Sequence, residues 1–188
     1  MNRIVYYIRY LLRIRHSWGF GVQSPAAYHF VRHVICQTSP YYAYEHLRNG
    51  NKKAGADFMK CKKSMLYFRV SNYAQPKICV NLLNDYDDAI KYGCNKVKFC
   101  NDISSQDTVD LFLGDISSLD TCDIDQLMLK VQRKSVFVIE DIHRDKESLE
   151  LWRKLISCSK VSLSFDLYYL GIIFFDSTQT KDNYIVNF

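Results

Sequence analysis

From residue 76 onward, short apolar runs alternate with amphipathic stretches, and this alternation restricts the fold more than any other feature. KICVNLL (77–83), KVKFCND (96–102), VDLFLGD (109–115) and SVFVIED (135–141) each have the length and β-branched or aromatic content of a buried strand. Between them lie DDAIKYG (87–93) and SLDTCDIDQLMLKVQRK (118–134), and after them KESLELWRKLISCS (146–159), all with helical spacing of their apolar residues. VSLSFDLYYLGIIFFD (161–176) reads as two strands meeting near Tyr-Tyr-Leu-Gly, and NYIVNF (183–188) as a closing strand. Strands that alternate with helices imply a mostly parallel sheet covered by helices, here with an antiparallel C-terminal edge.

The first third reads differently. Residues 3–15 predict a basic amphipathic helix, with Ile4, Val5, Ile8, Leu11 and Leu12 on one side and Arg3, Tyr6, Arg9, Tyr10 and Arg13 on the other. Such a helix packs on its own domain or on a twin, or lies on a membrane surface. Gly19 and Gly21 interrupt it, and Ser24-Pro25 opens a second helix with a hydroxyl cap and a proline at the first position. His29 and His33 have the spacing of metal ligands on a helix, but no carboxylate or third ligand accompanies them, so they read as surface or interface histidines. Residues 36–63 read as a basic loop with a short helix, and SMLYFRVSNYAQ (64–75) as a helix stopped by Pro76.

Charge follows the same division. Residues 1–63 carry +9 and residues 64–188 carry −4, which together give the formal +5 of the chain. The expected organisation is a basic helical extension over 1–63 joined to an α/β domain over 64–188. The 188 residues are enough to bury a core, and 48% apolar content with 7 Gly and 3 Pro describes an ordered chain. Seven scattered cysteines without a Cys-x-x-Cys pair suit reduced thiols in a cytoplasmic protein. No run reaches the roughly 20 apolar residues of a membrane span, and the arginine-studded N-terminus does not read as a signal peptide.

Five segments, in order, resemble one group of proteins: RHSWGFGVQSP (15–25), FRVSNYAQPK (68–77), VDLFLGD, SVFVIEDIHRDKESLELW (135–152) and FDLYYLGIIFF (165–175). The group is the class I S-adenosylmethionine-dependent methyltransferases, in particular a bacterial O-methyltransferase-like group common in Bacteroidetes. Gln23 stands where that group has a second histidine. The resemblance implies a Rossmann-like methyltransferase fold: a seven-stranded sheet with a reversed final hairpin strand, behind a helical N-terminal extension.

The resemblance also implies a cofactor site, from which this sequence departs. The family turn after the first strand is glycine-rich, because a residue without Cβ takes positive φ and lets ligand approach the main chain. Here Asn81 stands at the acidic position, and LLNDYDD, with Asn84, replaces the glycines. Asp102 would replace the ribose-binding acid if KVKFCND is the family's second strand. The short interval to VDLFLGD favours its being the third, with at least one strand-helix unit missing and the pocket lost.

By the same resemblance, Asp115, Glu140 and Asp141 would gather around Mg²⁺ through oxygen ligands, and Asp141 and His143 would be the catalytic pair, His143 serving as base toward a hydroxyl. Asp141 or Asp145 would equally fit a cap at the start of KESLELW. No Gly-x-Ser-x-Gly elbow and no P-loop is present.

Three functions follow. The first is a catalytically silent methyltransferase relative, without cofactor, that binds or assembles, as a homodimer through residues 1–45. The second is an active S-adenosylmethionine-dependent O-methyltransferase on a small hydroxylated molecule. The third is a basic nucleic-acid-associated protein using Tyr41, Tyr42 and Tyr44 beside Lys52, Lys53, Lys60, Lys62 and Lys63.

Overall fold

The computed structural model describes residues 3–117, 119, 124–178 and 180–188. The chain divides into two compact units, one formed by 1–75, 86–95 and 186–188, the other by 76–85 and 96–185. The first unit reaches past Lys63 because the helix expected to start at Ser64 is one unbroken element from Phe58.

In the first unit, α1 (Arg3–Leu12) is followed by a 3₁₀ segment (Ile14–Gly19). Next come α2 (Pro25–Phe30), running into a π-helical turn (Val31–Ile35), and α3 (Ala43–Lys53). Then follow α4 (Phe58–Ala74) and α5 (Asp87–Gly93). The Ser24 cap forms as expected: its hydroxyl accepts from the Ala27 amide, and Pro25 occupies the first turn.

Helix α4 buries Leu66, Tyr67, Phe68, Arg69, Val70 and Ser71 in succession, the mark of a helix enclosed on every side. Tyr41, Tyr42 and Tyr44 surround the Phe68 ring. α4 ends where Pro76 predicts, on Gln75 in the left-handed region. α5 lies so close to α4 that a Cβ on Gly93 would stand 2.4 Å from the Phe68 carbonyl oxygen.

Helix α1 is turned opposite to the simple expectation for an amphipathic helix. Its buried residue is Tyr6, whose ring meets Phe58 edge-on at 5.3 Å and whose hydroxyl accepts from Lys62 Nζ at 2.5 Å. Ile4, Ile8, Leu11 and Leu12 face solvent, Leu12 at 80% exposure.

The second unit holds seven strands: β1 (Ile78–Asn81), β2 (Lys98–Cys100), β3 (Val109–Asp115), β4 (Val131–Glu140), β5 (Leu163–Asp166), β6 (Leu170–Phe174) and β7 (Asp182–Ile185). Their order is β2-β1-β3-β4-β6-β5-β7. Strands β2, β1, β3 and β4 pair in parallel, β6 runs antiparallel to both β4 and β5, and β7 is parallel to β5. This is a Rossmann-like, mostly parallel sheet, with its antiparallel pairings on the C-terminal side.

Topology corrects one assignment. KVKFCND, expected to be the family's third strand, pairs directly with β1 and so takes the place of the second strand in the order 3-2-1-4-5-6. The strand that would lie outside it in that order is absent among the described residues.

Among the described residues this unit has α6 (Ile124–Leu129) and α7 (Lys146–Ser157). The helix expected over 118–134 lies partly outside the described residues, and its last four form the start of β4 instead. Val131 pairs with Val109, and Ser135 Oγ secures the overhang by accepting from the Gln132 amide and donating to the Val109 carbonyl. The core joins Phe112, Ile116 and Phe137 to Leu127, Trp152 and Leu155. Trp152 rests on β6 at Gly171, where a Cβ would come within 2.3 Å of the indole.

The six described cysteines are free thiols. Among the described residues no helix is long and apolar enough to cross a membrane.

Candidate functional site

Strands β1 to β5 all end at one edge of the sheet, and every site residue expected from the sequence stands there. Ligands of open α/β sheets bind at that edge, where strand order reverses. Here the reversal falls between β1 and β3.

Asn81 ends β1 and is 2% exposed. Its Nδ2 donates to the Asp85 carbonyl at 2.8 Å and its Oδ1 accepts from the Leu83 amide at 3.1 Å. The ladder to β3 also runs one step beyond the strand, with the Leu82 amide donating to the Leu113 carbonyl at 2.9 Å. The turn is therefore closed by its own side chain. Asn84 (φ 51°) and Tyr86 (φ 68°) hold the left-handed conformations that glycine takes without strain. Asn84 itself is exposed, so it is Asn81 that occupies the main-chain groups of this turn.

Asp102 lies two residues beyond β2, exposed, with Oδ1 accepting from the Ser104 amide at 2.8 Å. Because β2 neighbours β1, this aspartate stands where the resemblance places the ribose-binding acid.

Asp115 and Glu140 are register partners at the ends of β3 and β4. Asp115 Oδ1 accepts from the Ser117 amide (2.8 Å), the Ser117 hydroxyl (2.5 Å) and Arg144 (3.2 Å). Arg144 also donates to Asp145 at 2.9 Å. Asp145 caps α7 by accepting from the Ser148 amide, and with Arg144 that bond holds its pKa down at about 2.

Among the described residues no group of three or more His, Cys, Asp or Glu side chains is placed to hold a metal ion. Asp115 is committed to an arginine and its own turn instead, so Asp115, Glu140 and Asp141 do not fit a Mg²⁺ site. The His29 and His33 rings lie 4.3 Å apart and tilted by 36°, with no third ligand among the described residues.

Asp141 takes φ 58°, its amide donating to the Tyr169 carbonyl at 2.8 Å and its carbonyl accepting from the Arg144 amide. That tight turn presents His143, whose Nε2 lies 2.6 Å from Asp166 Oδ2. The imidazole stacks parallel on Tyr168, centroids 4.8 Å apart. Tyr168, also at positive φ, donates its amide to the other Asp166 oxygen at 2.8 Å. An imidazole oriented by a carboxylate is the arrangement of a general base.

Sequence reasoning named His143 but missed Asp166, Tyr168 and Arg144. Asp166 ends a strand expected from FDLYYLG, and that position was its one signal. The tyrosine–lysine set expected as a nucleic-acid strip is not one exposed surface, since Tyr44 is buried and Lys63 is 8% exposed.

No family model matches the chain, and no curated protein matches it. Among solved structures it is similar to a methyltransferase from Geobacter sulfurreducens, at 7% identity and a TM-score of 0.45, over 75% of this chain and 92% of that one.

Proposed function

We propose that the chain is a methyltransferase-like protein that does not hold S-adenosylmethionine and serves as a binding and assembly module. The observation that carries this reading is the closed turn after β1, where Asn81 takes up the Leu83 amide and the Asp85 carbonyl. A methyl donor needs those main-chain groups open to it. Calorimetric titration with S-adenosylhomocysteine tests the reading: no saturable heat at millimolar ligand is expected, and micromolar binding would overturn it.

The module's contact surface is assigned to residues 1–45 and its partner to a second copy. Ile4, Ile8, Leu11 and Leu12 form an outward apolar row on α1, and in a two-fold contact such a row meets itself. Sedimentation of the full chain should give a dimer, and Leu11→Glu with Leu12→Glu should give a monomer. A monomeric wild type that binds anionic vesicles would reassign the row to a membrane surface.

Asp102 favours a second reading, an active O-methyltransferase on a small hydroxylated molecule. In it Asp102 holds the ribose hydroxyls, and His143, oriented by Asp166, takes the substrate hydroxyl proton. The same titration separates the two. Only the second reading expects Asp102→Ala to weaken S-adenosylhomocysteine binding.

A further inference from the structure

The first unit contains a cavity of about 310 Å³. Its cations are Arg48, Lys62 and Arg69, and its flat apolar walls include Tyr10, Trp18 and Phe188. Among the described residues no aspartate or glutamate lines it.

Arg69 is the most constrained of the three. It is 6% exposed and donates to the Val34 carbonyl (2.5 Å), the Tyr44 hydroxyl (2.6 Å) and the Ile35 carbonyl (3.3 Å). All three acceptors are neutral, so its hydrogen bonds are served while its charge is not. Lys62 stands in the same wall, with its ammonium 4.2 Å from the centre of the Phe188 ring and 4.7 Å from that of Tyr6. Burial, and then the charge of Arg69, lower its pKa from 10.5 to about 8; the Cys36 thiol opposes them, and no carboxylate acts on it. Two largely buried cations at one half-open cavity, with no carboxylate side chain in its lining, raise the energy of the empty site, and an anion entering it relieves that energy.

We propose that this cavity binds a small organic carboxylate with a flat apolar body, its carboxylate meeting Lys62 and Arg69 and its body lying against Trp18 and Phe188. A volume at the small end of ligand pockets, with cationic and aromatic side chains in one lining, suits a small aromatic anion. Arg69 is fixed by its backbone contacts, so one anion-binding group is ordered before ligand arrives. The inference does not depend on whether the strand-end site holds a methyl donor.

Benzoate, benzyl alcohol and inorganic phosphate are the probes, titrated separately into the full chain by calorimetry. Benzoate should bind saturably, benzyl alcohol at least tenfold more weakly, and phosphate more weakly than benzoate. Lys62→Met, which keeps the apolar stem, should weaken benzoate at least tenfold. Arg48→Gln provides a second variant away from the buried contacts and should weaken it a few-fold. Each variant is checked for a wild-type circular dichroism spectrum, and benzoate should raise the melting temperature of the wild type alone among wild type and Lys62→Met. Equal binding of benzoate and benzyl alcohol, phosphate binding more tightly than benzoate, or undiminished benzoate binding by both variants would overturn the proposal.

Discussion

His143 Nε2 and Asp166 Oδ2 lie 2.6 Å apart, tying the turn after β4 to the end of β5. Both side chains are largely buried, so the bond should contribute measurably to stability. We predict that His143→Ala and Asp166→Ala each lower the free energy of unfolding, and that the double variant loses less than the sum. The interaction energy should be about 1 kcal/mol. Urea unfolding of the four proteins measures it, and additive losses would mean that the pair is not coupled.

Two glycines differ in what surrounds them. A Cβ at Gly171 meets the end of the Trp152 ring, whereas one at Gly93 meets the Phe68 carbonyl and the Asn72 amide. A ring can tilt, but two packed helices can only separate. Gly171→Ala should therefore cost about 1–3 kcal/mol, and Gly93→Ala more. Adding Trp152→Phe should recover part of the Gly171→Ala loss and none of the Gly93→Ala loss, as read from denaturant midpoints.

Asp145 supplies a pH dependence of known sign. Its folded pKa is depressed from 3.8 to about 2 by the Ser148 amide and Arg144. The stabilisation is present above pH 4 and is lost as pH falls toward 2. Asp145→Asn keeps a capping acceptor but cannot titrate. Its unfolding free energy should consequently fall less steeply between pH 4 and 2 than that of the wild type.

Lys62 works in the other direction. Its folded pKa lies below the unfolded value of 10.5, so the folded state is penalised below about pH 8 and relieved as pH rises from 8 toward 10.5. The relief amounts to about 3 kcal/mol at most. Cys36, whose thiol is held up by burial, titrates against it at the alkaline end. The measurement is therefore the difference between wild type and Lys62→Met, which should shift in favour of the wild type between pH 7.5 and 9.5.

Strands such as β1 and β4 were legible because each carries a short apolar run bounded by turn residues. The caps at Ser24 and Asp145 and the stop at Pro76 were legible because each depends on a few neighbouring residues. Pairing partners were not. Interval length suggested that KVKFCND was the third strand, but only its hydrogen bonds to β1 could place it. The orientation of α1 was illegible for a similar reason. Periodicity separates two faces of a helix, yet Tyr6 chose the inner one through Phe58 and Lys62, residues more than fifty positions away. At the candidate site, His143 was visible in the sequence, while Asp166 became its partner only through the antiparallel return of β6.

That return has one more effect. Strand β5 reaches β4 only across Leu170–Phe174, and β7 is joined to the sheet only through β5. Five residues thus form a bridge with β5 and β7 on its far bank, and damage there would detach two strands at once where damage at either rim would fray only one.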